Sequence, residues 1–304
     1  MTNKDKRSIA IIPCYNEEPT IGSIVTRAKH FVNEVLVIDD GSNDKTSNIA
    51  KEVGATVIIH KTNKGKTAAI KTGFKYALKN NYDYIITLDG DAQHNPSEMP
   101  KLLNDLKNNG HDIILGVRYG LYTEMPLWRK FGKRILDYTT SFGNGGIITD
   151  SQCGFRAFNK KAVEKILPKL NGQSFGIESE QLIRAHEEKL KIGTQNISCR
   201  YKNLNTSTKK PLSHGLSVLL YVLKLLLEIR PLLLMVVPGI ILLFFGLLLG
   251  LITIIFYNDT YIFNIVLVFT VSILIITGFI TIIKGLSLNY IKTSLKQIFK
   301  EEIY

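Results

Sequence analysis

The chain has 304 residues, and its 38 Lys and Arg outnumber its 26 Asp and Glu, which leaves a formal charge of +12. This length exceeds one average domain, so a core domain with a further segment is expected, and the basic excess suits nucleic acid, anionic lipid or phosphorylated substrates. The three cysteines lack the paired spacing of a zinc site or a disulfide framework, which argues against both. They are Cys14, Cys153 and Cys199.

The first two thirds of the chain alternates strand and helix patterns. Strands are predicted at 8–12, 34–38, 56–59, 84–88 and 112–116. Helices are predicted at 19–31, from a cap at Asp44 to about Val53, and at 66–80, 96–108 and 176–188. This alternation predicts an α/β fold with a mostly parallel sheet and helices on both of its faces.

The predicted strand 84–88 runs directly into Asp89-Gly90-Asp91. In open α/β sheets the ligand crevice lies beyond the carboxyl ends of the strands. A Mg²⁺-like cation there combines one or two carboxylates with substrate phosphate oxygens. Gly90 would let a diphosphate approach the backbone, and Gln93 would add a neutral oxygen. The alternative is a polar turn that happens to contain two aspartates.

Two earlier strands also end in chemistry-bearing residues. The first leads into Pro13 and Tyr15, and the second into Asp39 and Asp40. Tyr15 is suited to stack on a base, while Glu17, Asp39 or Asp40 would accept hydrogen bonds from a base or ribose. One acidic strand end is most often a turn or helix cap, but three in succession favour a nucleotide site.

Two long stretches near the C-terminus carry no charge. They cover 28 residues from 231 to 258 and 24 residues between Asp259 and Lys284. A membrane-spanning helix needs about 20 apolar residues, so two transmembrane helices are predicted, joined by a short loop at 258–261. Both flanks are basic, which by the positive-inside rule places both ends, and the N-terminal domain, on the cytoplasmic side of the cell membrane. No nucleic acid partner is expected.

The predicted organisation therefore has four parts. They are a cytosolic catalytic domain at 1–210, an interfacial amphipathic helix at 211–230, two transmembrane helices at 231–284 and a basic amphipathic tail at 285–304. The segment 119–142 alternates basic, aromatic and aliphatic residues, as an interfacial segment does. Arg118 and Arg129 are the candidates for holding a lipid phosphate, because a guanidinium matches phosphate in a two-point contact; an ordinary amphipathic helix with solvated cations is the alternative for this segment.

An ordered set of motifs resembles the family 2 glycosyltransferases of the GT-A fold, and among them the polyprenyl-phosphate sugar synthases such as dolichol-phosphate mannose synthases. The motifs are Ile-Pro-Cys-Tyr-Asn-Glu-Glu at 12–18, Val-Ile-Asp-Asp-Gly-Ser at 37–42, Asn-Lys-Gly-Lys at 63–66, Asp-Gly-Asp-Ala-Gln-His at 89–94 and Gly-Phe-Arg-Ala-Phe at 154–158. The resemblance spans roughly residues 8–208. It implies a Rossmann-like sheet domain.

The resemblance also implies roles for individual residues. Nucleotide contacts are implied for Pro13, Tyr15, Glu17, Ile38, Asp40 and Asp89. Binding of Mg²⁺ or Mn²⁺ is implied for Asp91 and Gln93, with Asp89 nearby. Lys66 would face the crevice, Asp150 and Gln152 would approach the donor sugar, and Arg200 with Lys209 would hold the diphosphate; Arg156 would be structural. Glu178 is the weaker candidate for a contact from the helix 176–188.

The implied reaction is inverting transfer of a hexose from GDP-mannose or a UDP-hexose to a polyprenyl (dolichyl) phosphate. Asp91, Arg118 and Arg129 are the candidate catalytic residues. A phosphate acceptor with a second pKa near ~6 is largely dianionic at neutral pH and needs no general base.

Two alternatives remain open. One is a membrane glycosyltransferase that adds a sugar to a lipid-linked glycan. The Gln-x-x-Arg-Trp motif of processive enzymes is missing, since the only tryptophan, Trp128, precedes its arginine. The other is a non-catalytic membrane scaffold, against which the intact Asp89, Asp91 and Gln93 set argues. The sugar, the base, the choice between Mg²⁺ and Mn²⁺ and the oligomeric state stay open.

Overall fold

The computed structural model of the chain describes residues 6–118, 150–170, 176–199, 220, 223–224, 226–227 and 230–301. The chain divides into two compact units, Met1–Val222 and Leu223–Tyr304. The first unit holds an α/β sheet and the second holds two long helices.

The first unit is built on a seven-stranded sheet with the order β3-β2-β1-β4-β6-β5-β7. Its strands are β1 (Ser8–Cys14), β2 (Glu34–Asp39), β3 (Thr56–Ile59), β4 (Tyr84–Thr87), β5 (Ile113–Val117), β6 (Arg156–Asn159) and β7 (Ile192–Asn196). Only β6 runs antiparallel, between β4 and β5. The predicted mostly parallel sheet is confirmed.

Six helices accompany the strands described in this unit. They are α1 (Glu18–Ala28), α2 (Thr46–Glu52), α3 (Lys66–Lys79), α4 (Met99–Asn108), α5 (Lys160–Ile166) and α6 (Ile177–Glu187). A 3₁₀ turn, Pro96–Glu98, precedes α4, and a second, Leu167–Lys169, follows α5. The predicted helices agree with these bounds to within a few residues, which is the usual uncertainty at helix ends.

Hydrophobic packing on both faces of the sheet positions its polar edge. Successive residues of β1 point to opposite faces, so Ile12 joins the cluster that contains α1 and α4, whereas Ile11 joins the cluster that contains α3 and α5. All seven residues of β1 are buried. A strand covered on both faces reads as a continuous apolar run, which is why the sequence marks it clearly.

The second unit consists of α7 (Val237–Thr260), preceded by a π-helical turn at Leu232–Val236, and α8 (Ile265–Glu301). The two candidate spans, Leu232–Thr260 and Ile265–Ser294, have mean hydropathies of 2.9 and 2.8 and are only 11% and 6% buried. By length and composition each is able to cross a membrane. Their exposure distinguishes them from the core helices of a soluble protein.

The structure corrects two details of the predicted hairpin. The connection lies after Thr260 rather than at 258–261, and Asn264 begins the next helix by accepting hydrogen bonds from the backbone N–H groups of Val266 and Leu267. Helix α8 also continues past Lys284 to Glu301, so the predicted separate tail at 285–304 begins as an extension of the second helix. Uncharged length alone did not show where this helix ends.

Glycines bring α7 and α8 into close contact. A Cβ atom on Gly239 would lie 2.9 Å from the carbonyl oxygen of Gly278, and a Cβ on Gly278 would lie 2.9 Å from that of Gly239. Gly246 packs in the same way against Ile275. Small residues at a helix crossing let the two backbones approach, so the glycines determine how closely this pair packs.

Candidate active site

The strand order brings the predicted site residues to one edge of the sheet. Strand β1 lies between β2 and β4 and is parallel to both, so Cys14, Asp39 and Thr87 end their strands at the same edge. The antiparallel β6 begins at this edge, which places the preceding segment 150–155 beside the turn that follows β4. The site is therefore assembled from segments far apart in sequence.

A lysine bridges two carboxylates at the centre of this edge. Lys66, the first residue of α3, places its Nζ 2.5 Å from Oδ1 of Asp89 and 2.7 Å from Oε1 of Glu178. The side chains of Lys66 and Asp89 are 34% and 26% exposed, which leaves both accessible from the crevice. The prediction that Glu178 faces the site is compatible with this contact.

The two aspartates of the turn differ in their affinity for a proton. Burial alone would raise the pKa of Asp89, but Lys66, together with His94 and Arg118, outweighs burial and lowers this pKa to about 2. Burial and the negative charge of Asp89 raise the pKa of Asp91 to about 6. The turn therefore concentrates negative charge, and a divalent cation would relieve the repulsion between the two carboxylates.

The donor set fits a magnesium-type cation rather than a closed protein cage. Across the described residues there is no group of three or more His, Cys, Asp or Glu arranged to hold a metal ion. Asp89 and Asp91 would supply two hard carboxylate ligands of the kind that Mg²⁺ takes alongside phosphate oxygens and water, and their metal binding stays a prediction. The backbone N–H of Gln93 donates to Oδ1 of Asp91 at 3.1 Å; a metal contact from its side chain stays a prediction.

Two glycines are required by close packing around Asp89. A Cβ on Gly154 would lie 2.7 and 2.8 Å from the Asp89 carboxylate oxygens. A Cβ on Gly90 would lie 2.7 Å from Sγ of Cys14. The structure thus gives Gly90 a packing reason that the sequence prediction missed, while the approach of a diphosphate to this backbone stays a prediction.

The nucleotide-side residues from β1 and β2 lie together. Pro13 on β1 pairs in register with Ile38 on β2. Tyr15, two residues after Pro13, is 43% exposed at this edge. Burial and the nearby Asp91 raise the pKa of Glu17 to about 7. The exposed face of Tyr15 is compatible with the predicted stacking on a base.

Asp40 already has partners within the protein. Its carboxylate accepts hydrogen bonds from the backbone N–H groups of Lys64 and Gly65 and lies 2.6 Å from Nδ1 of His60. These contacts involve both oxygens, so Asp40 organises the 63–65 loop; its predicted contact with a base or ribose stays a prediction. The neighbouring Asp39 accepts from the Ser42 backbone N–H through Oδ1 only.

Arg118 makes its two-point contact with Asp150. Its Nε and Nη2 donate to Oδ2 and Oδ1 of Asp150 at 2.9 and 2.7 Å. Asp150 is fully buried, and it also accepts the Arg118 backbone N–H at 2.7 Å. The Arg118 guanidinium, which was predicted to hold a lipid phosphate, thus contacts a carboxylate. Asp150, which was predicted to approach the donor sugar, contacts Arg118.

The segment beside Asp89 is held by side chains of buried residues. Arg156 is fully buried and donates to the carbonyl oxygens of Ser151, Cys153 and Glu178 at 2.6–2.7 Å. This contact set agrees with a structural role. Gln152 donates to Oγ of Ser179 at 2.5 Å, so its amide nitrogen is directed at α6.

Sequence reasoning missed two residues that shape the site. The hydroxyl of Thr20 donates to the Gly90 carbonyl at 2.6 Å and so fixes the turn between the two aspartates. His60 joins Asp40 to Thr72 Oγ1, 2.9 Å from its Nε2. His60 directly follows β3, so the same strand-end argument that identified Asp39 would have identified it. Three predicted site residues, Arg129, Arg200 and Lys209, lie outside the described residues.

Together, fold and site define an α/β protein with a cluster of acidic residues at the carboxyl ends of its parallel strands. Residues 9–167, more than half of the chain, match the family described as glycosyl transferase family 2. The chain belongs to this family, and it is a glycosyltransferase. The resemblance found in the sequence motifs is confirmed.

Two relatives of assigned activity are similar over much of the chain. A UDP-N-acetylglucosamine–dolichyl-phosphate N-acetylglucosaminyltransferase of Methanococcus voltae is 32% identical over 237 residues, covering 71% of this chain and 92% of its own. A polyprenol monophosphomannose synthase of Mycolicibacterium smegmatis is 34% identical over 172 residues, covering 53% of this chain and 64% of its own.

The fold resembles that of a solved glycosyltransferase. The glucosyl-3-phosphoglycerate synthase of Mycobacterium tuberculosis, crystallised with Mn²⁺, UDP and phosphoglyceric acid, superposes with a TM-score of 0.58 at 19% identity. The match covers 73% of this chain and 78% of that one. At this identity the likeness establishes the fold, and the predicted GT-A-type α/β architecture is confirmed.

Proposed function

We propose that this protein transfers a hexose from a nucleotide-sugar to a polyprenyl phosphate, with inversion at the anomeric carbon. The observation that carries the proposal is the presence, in one glycosyltransferase chain, of the Asp89–Asp91 turn and two exposed apolar helices long enough to cross a membrane. A water-soluble acceptor does not require such helices. The names of the two relatives of assigned activity supply the acceptor class, a phosphate on a polyprenol.

A divalent cation, Mg²⁺ or Mn²⁺, belongs to this proposal. Asp89 and Asp91 would hold it, and when bound it supplies Lewis-acid stabilisation of the departing diphosphate. The structural neighbour was crystallised in complexes with Mn²⁺ and with Mg²⁺, which supports the choice of metals. Around this position Tyr15 would stack on the base, and Asp39 would accept a hydrogen bond through its second oxygen.

The acceptor chemistry explains why no general base is needed. The second pKa of a phosphate monoester is near ~6, so the acceptor oxygen is already anionic at neutral pH. Cations must then bring two anionic substrates together. Arg129, Arg200 and Lys209 remain the proposed residues for the acceptor phosphate and the departing diphosphate, while Arg118 acts through Asp150 by holding the 150–155 segment in place.

The names of the two relatives suggest two classes of sugar donor. The Methanococcus voltae relative uses UDP-N-acetylglucosamine by its name, and the Mycolicibacterium smegmatis relative is a mannose synthase. The first relative aligns over a larger share of both chains, so UDP-N-acetylhexosamines are the first donors to test. GDP-mannose and UDP-glucose complete the panel.

The membrane topology is part of the same proposal. Both ends of the helix pair carry basic residues, with Arg230 before the first helix and Lys284 and Lys292 on the second. The positive-inside rule then places both ends, and the sheet unit, in the cytoplasm, where nucleotide-sugars are made available. Most of the predicted interfacial helix at 211–230 lies outside the described residues. This helix therefore remains part of the proposal.

The test uses the full-length protein in detergent with Mg²⁺ or Mn²⁺. Each nucleotide-sugar is offered with and without a polyprenyl phosphate, and the glycolipid is identified by mass spectrometry. We expect one sugar-phosphate-lipid product that depends on the lipid phosphate. Asp91→Ala should lower its rate by at least about a hundredfold, because a charge-stabilising contact in the transition state is removed. Asp259→Ala, an exposed aspartate near the end of α7, is the matched control.

Two results would contradict this function. Sugar transfer to a lipid-linked glycan, with lipid phosphate inert, would identify an elongating glycosyltransferase. No transfer and no metal-dependent binding of any nucleotide-sugar would identify a scaffold.

A further inference from the structure

The contact of Lys66 with Asp89 places a cation where the proposed function requires a metal ion. The Lys66 ammonium lies 2.5 Å from Oδ1 of Asp89, one of the two carboxylates proposed to bind the divalent ion. The same ammonium has a second partner, since it lies 2.7 Å from Oε1 of Glu178 on α6. A lysine with two carboxylate partners on different elements is able to leave one and keep the other.

Asp89 itself has little room to move. Gly154 packs so closely on its carboxylate that a Cβ there would lie 2.7 Å from Oδ2 and 2.8 Å from Oδ1. Gly154 is fixed in turn, because Thr87 Oγ1 donates to its carbonyl oxygen at 2.8 Å. The carboxylate is therefore held on its Gly154 side by backbone that cannot withdraw easily.

Lys66 is the mobile partner of the pair. A lysine carries a compact charge on a flexible four-carbon stem, and this side chain is about a third exposed. Glu178 is more enclosed, with a side chain 13% exposed, and lies in the first turn of α6. When a divalent ion approaches Asp89, the group that yields is the ammonium, and its remaining partner is Glu178.

We propose that Lys66 is an internal counter-cation that neutralises Asp89 before the divalent ion binds, and that Glu178 is the anchor to which its ammonium withdraws. The inference rests on the proposed function, because it takes Asp89 and Asp91 as the metal ligands. Lys66 and Glu178 are then positioning residues that determine how strongly the empty site resists a metal ion. The divalent ion then competes with the Lys66 ammonium for the carboxylate of Asp89.

The competition predicts opposite effects for its two members. Removing the ammonium in Lys66→Met frees Asp89, so the site should bind a divalent ion more tightly. Removing the anchor in Glu178→Gln leaves the ammonium with Asp89 alone, so the site should bind the ion more weakly. If Glu178 acts through Lys66, its substitution should have no effect once Lys66 is absent.

The experiment measures Mn²⁺ alone, without nucleotide, on the full-length protein in detergent. Free Mn²⁺ is followed by its electron paramagnetic resonance signal during titration of the native chain, Lys66→Met, Glu178→Gln and the double variant. We expect the Kd of Lys66→Met to fall by about tenfold or more, since a unit charge at contact distance is removed. Lys75→Met removes an exposed lysine from the same helix and should change the Kd less than about twofold.

Specific outcomes would overturn the inference. A Kd for Lys66→Met that is unchanged or higher would show that the lysine does not compete with the ion. A loss of affinity from Glu178→Gln that persists in the Lys66→Met background would show a direct effect of the glutamate charge. Glu178→Gln keeps the Lys66–Asp89 pair, so it supplies a test even if Lys66→Met folds poorly.

The outcome is distinguishable from failure of the proposed function. The titration reads metal binding, whereas the glycolipid assay reads sugar transfer to lipid phosphate. A glycolipid product together with an unchanged Mn²⁺ affinity in Lys66→Met would retain the function and discard the counter-cation. The expected Mn²⁺ pattern without any glycolipid would retain the counter-cation and discard the acceptor.

Discussion

The sheet edge and the helix pair both rely on glycine, for different physical reasons. At the sheet edge Gly154 makes room for the carboxylate of Asp89, so the absence of a side chain there serves a charged group. In the helix pair Gly239 and Gly278 make room for each other's backbone, so the absence of side chains serves packing. One region fixes the direction of a functional group, and the other fixes the distance between two apolar helices.

This difference predicts how substitutions in each region should affect stability and activity. Around the site, the buried side chains of Asp40, Asp150 and Arg156 have specific hydrogen-bond partners, and losing one partner leaves the others unsatisfied at a high cost. In the helix pair the contacts are apolar and replaceable, so the cost should follow volume and distance. The sheet edge should therefore be sensitive in both stability and activity, and the helix pair mainly in stability.

The largest expected effect is on the buried arginine behind the site. Arg156→Met removes the buried partner of three carbonyl oxygens, those of Ser151, Cys153 and Glu178. We expect the free energy of unfolding to fall by about 3–5 kcal/mol, the range for breaking a buried charged network. Urea unfolding of the full-length protein in detergent, followed by circular dichroism, measures it.

The matched control for this substitution is Arg27→Met. Arg27 is exposed and donates to Oδ1 of Asn95, so its loss should cost under about 1 kcal/mol. Equal losses for the two variants would contradict the structural role assigned to Arg156.

The next effect tests the helix pair. Gly239→Ala would place a Cβ 2.6 Å from Cγ1 of Ile282 and 2.9 Å from the Gly278 carbonyl oxygen, so the helices must separate. Overpacking of this kind costs about 1–3 kcal/mol. We expect a lower melting temperature in detergent with sugar transfer per folded molecule retained, measured by thermal unfolding and by the glycolipid assay.

Gly250→Ala is the control on the same helix, because its Cβ would meet Cγ1 of Val271 at an ordinary 3.4 Å. A melting temperature lowered as much by Gly250→Ala as by Gly239→Ala would show that the close crossing has no special role.

The corresponding change at the sheet edge should lower the activity of the folded protein, which the change in the helix pair should not. Gly154→Ala directs a Cβ at both oxygens of Asp89 and would displace this carboxylate. We expect kcat/KM for sugar transfer to fall by about tenfold to a hundredfold, since misplacing a reacting group by about 1 Å has such effects. The measurement is steady-state transfer with the donor identified by the panel. Unchanged kcat/KM in folded protein would show that Asp89 need not hold its observed position.

The smallest effect concerns acid stability of the sheet unit. Burial alone would raise the pKa of Asp112, but hydrogen bonds from the Lys191 backbone N–H and the Asn159 side chain, with the charge of Lys161, lower it below its usual 3.8. A carboxylate whose pKa is lower in the folded state adds stability above about pH 3.8, and this stability is lost as the pH falls through the folded value.

Asp112→Asn should therefore reduce stability at pH 7 by about 1 kcal/mol, the scale of one net hydrogen bond, and flatten the loss of stability below pH 4. Unfolding by urea at pH 7, 4 and 3 measures both. An equally steep acid loss in the variant would assign the acid sensitivity to other carboxylates.

Local patterns in the sequence were sufficient for most of the elements and for the strand-end residues. Apolar runs identified β1 and β4, and an uncharged length identified α7, because burial and membrane length act on contiguous residues. The turn at Asp89 and Asp91 followed from the rule that ligands bind beyond strand ends. Strand β6 was missed as a strand, since four residues beginning with Arg156 carry no clear alternation.

Partners far apart in sequence were decided only by tertiary structure. Nothing local indicates that Arg118 pairs with Asp150, that Asp40 holds the 63–65 loop, or that Lys66 joins Asp89 to Glu178. Periodicity reports which face of an element is buried, whereas the choice of partner for a polar side chain depends on how the sheet orders its strands. The sequence by itself determined the family and the fold class and predicted where the site lies; the three-dimensional packing determined which charge meets which.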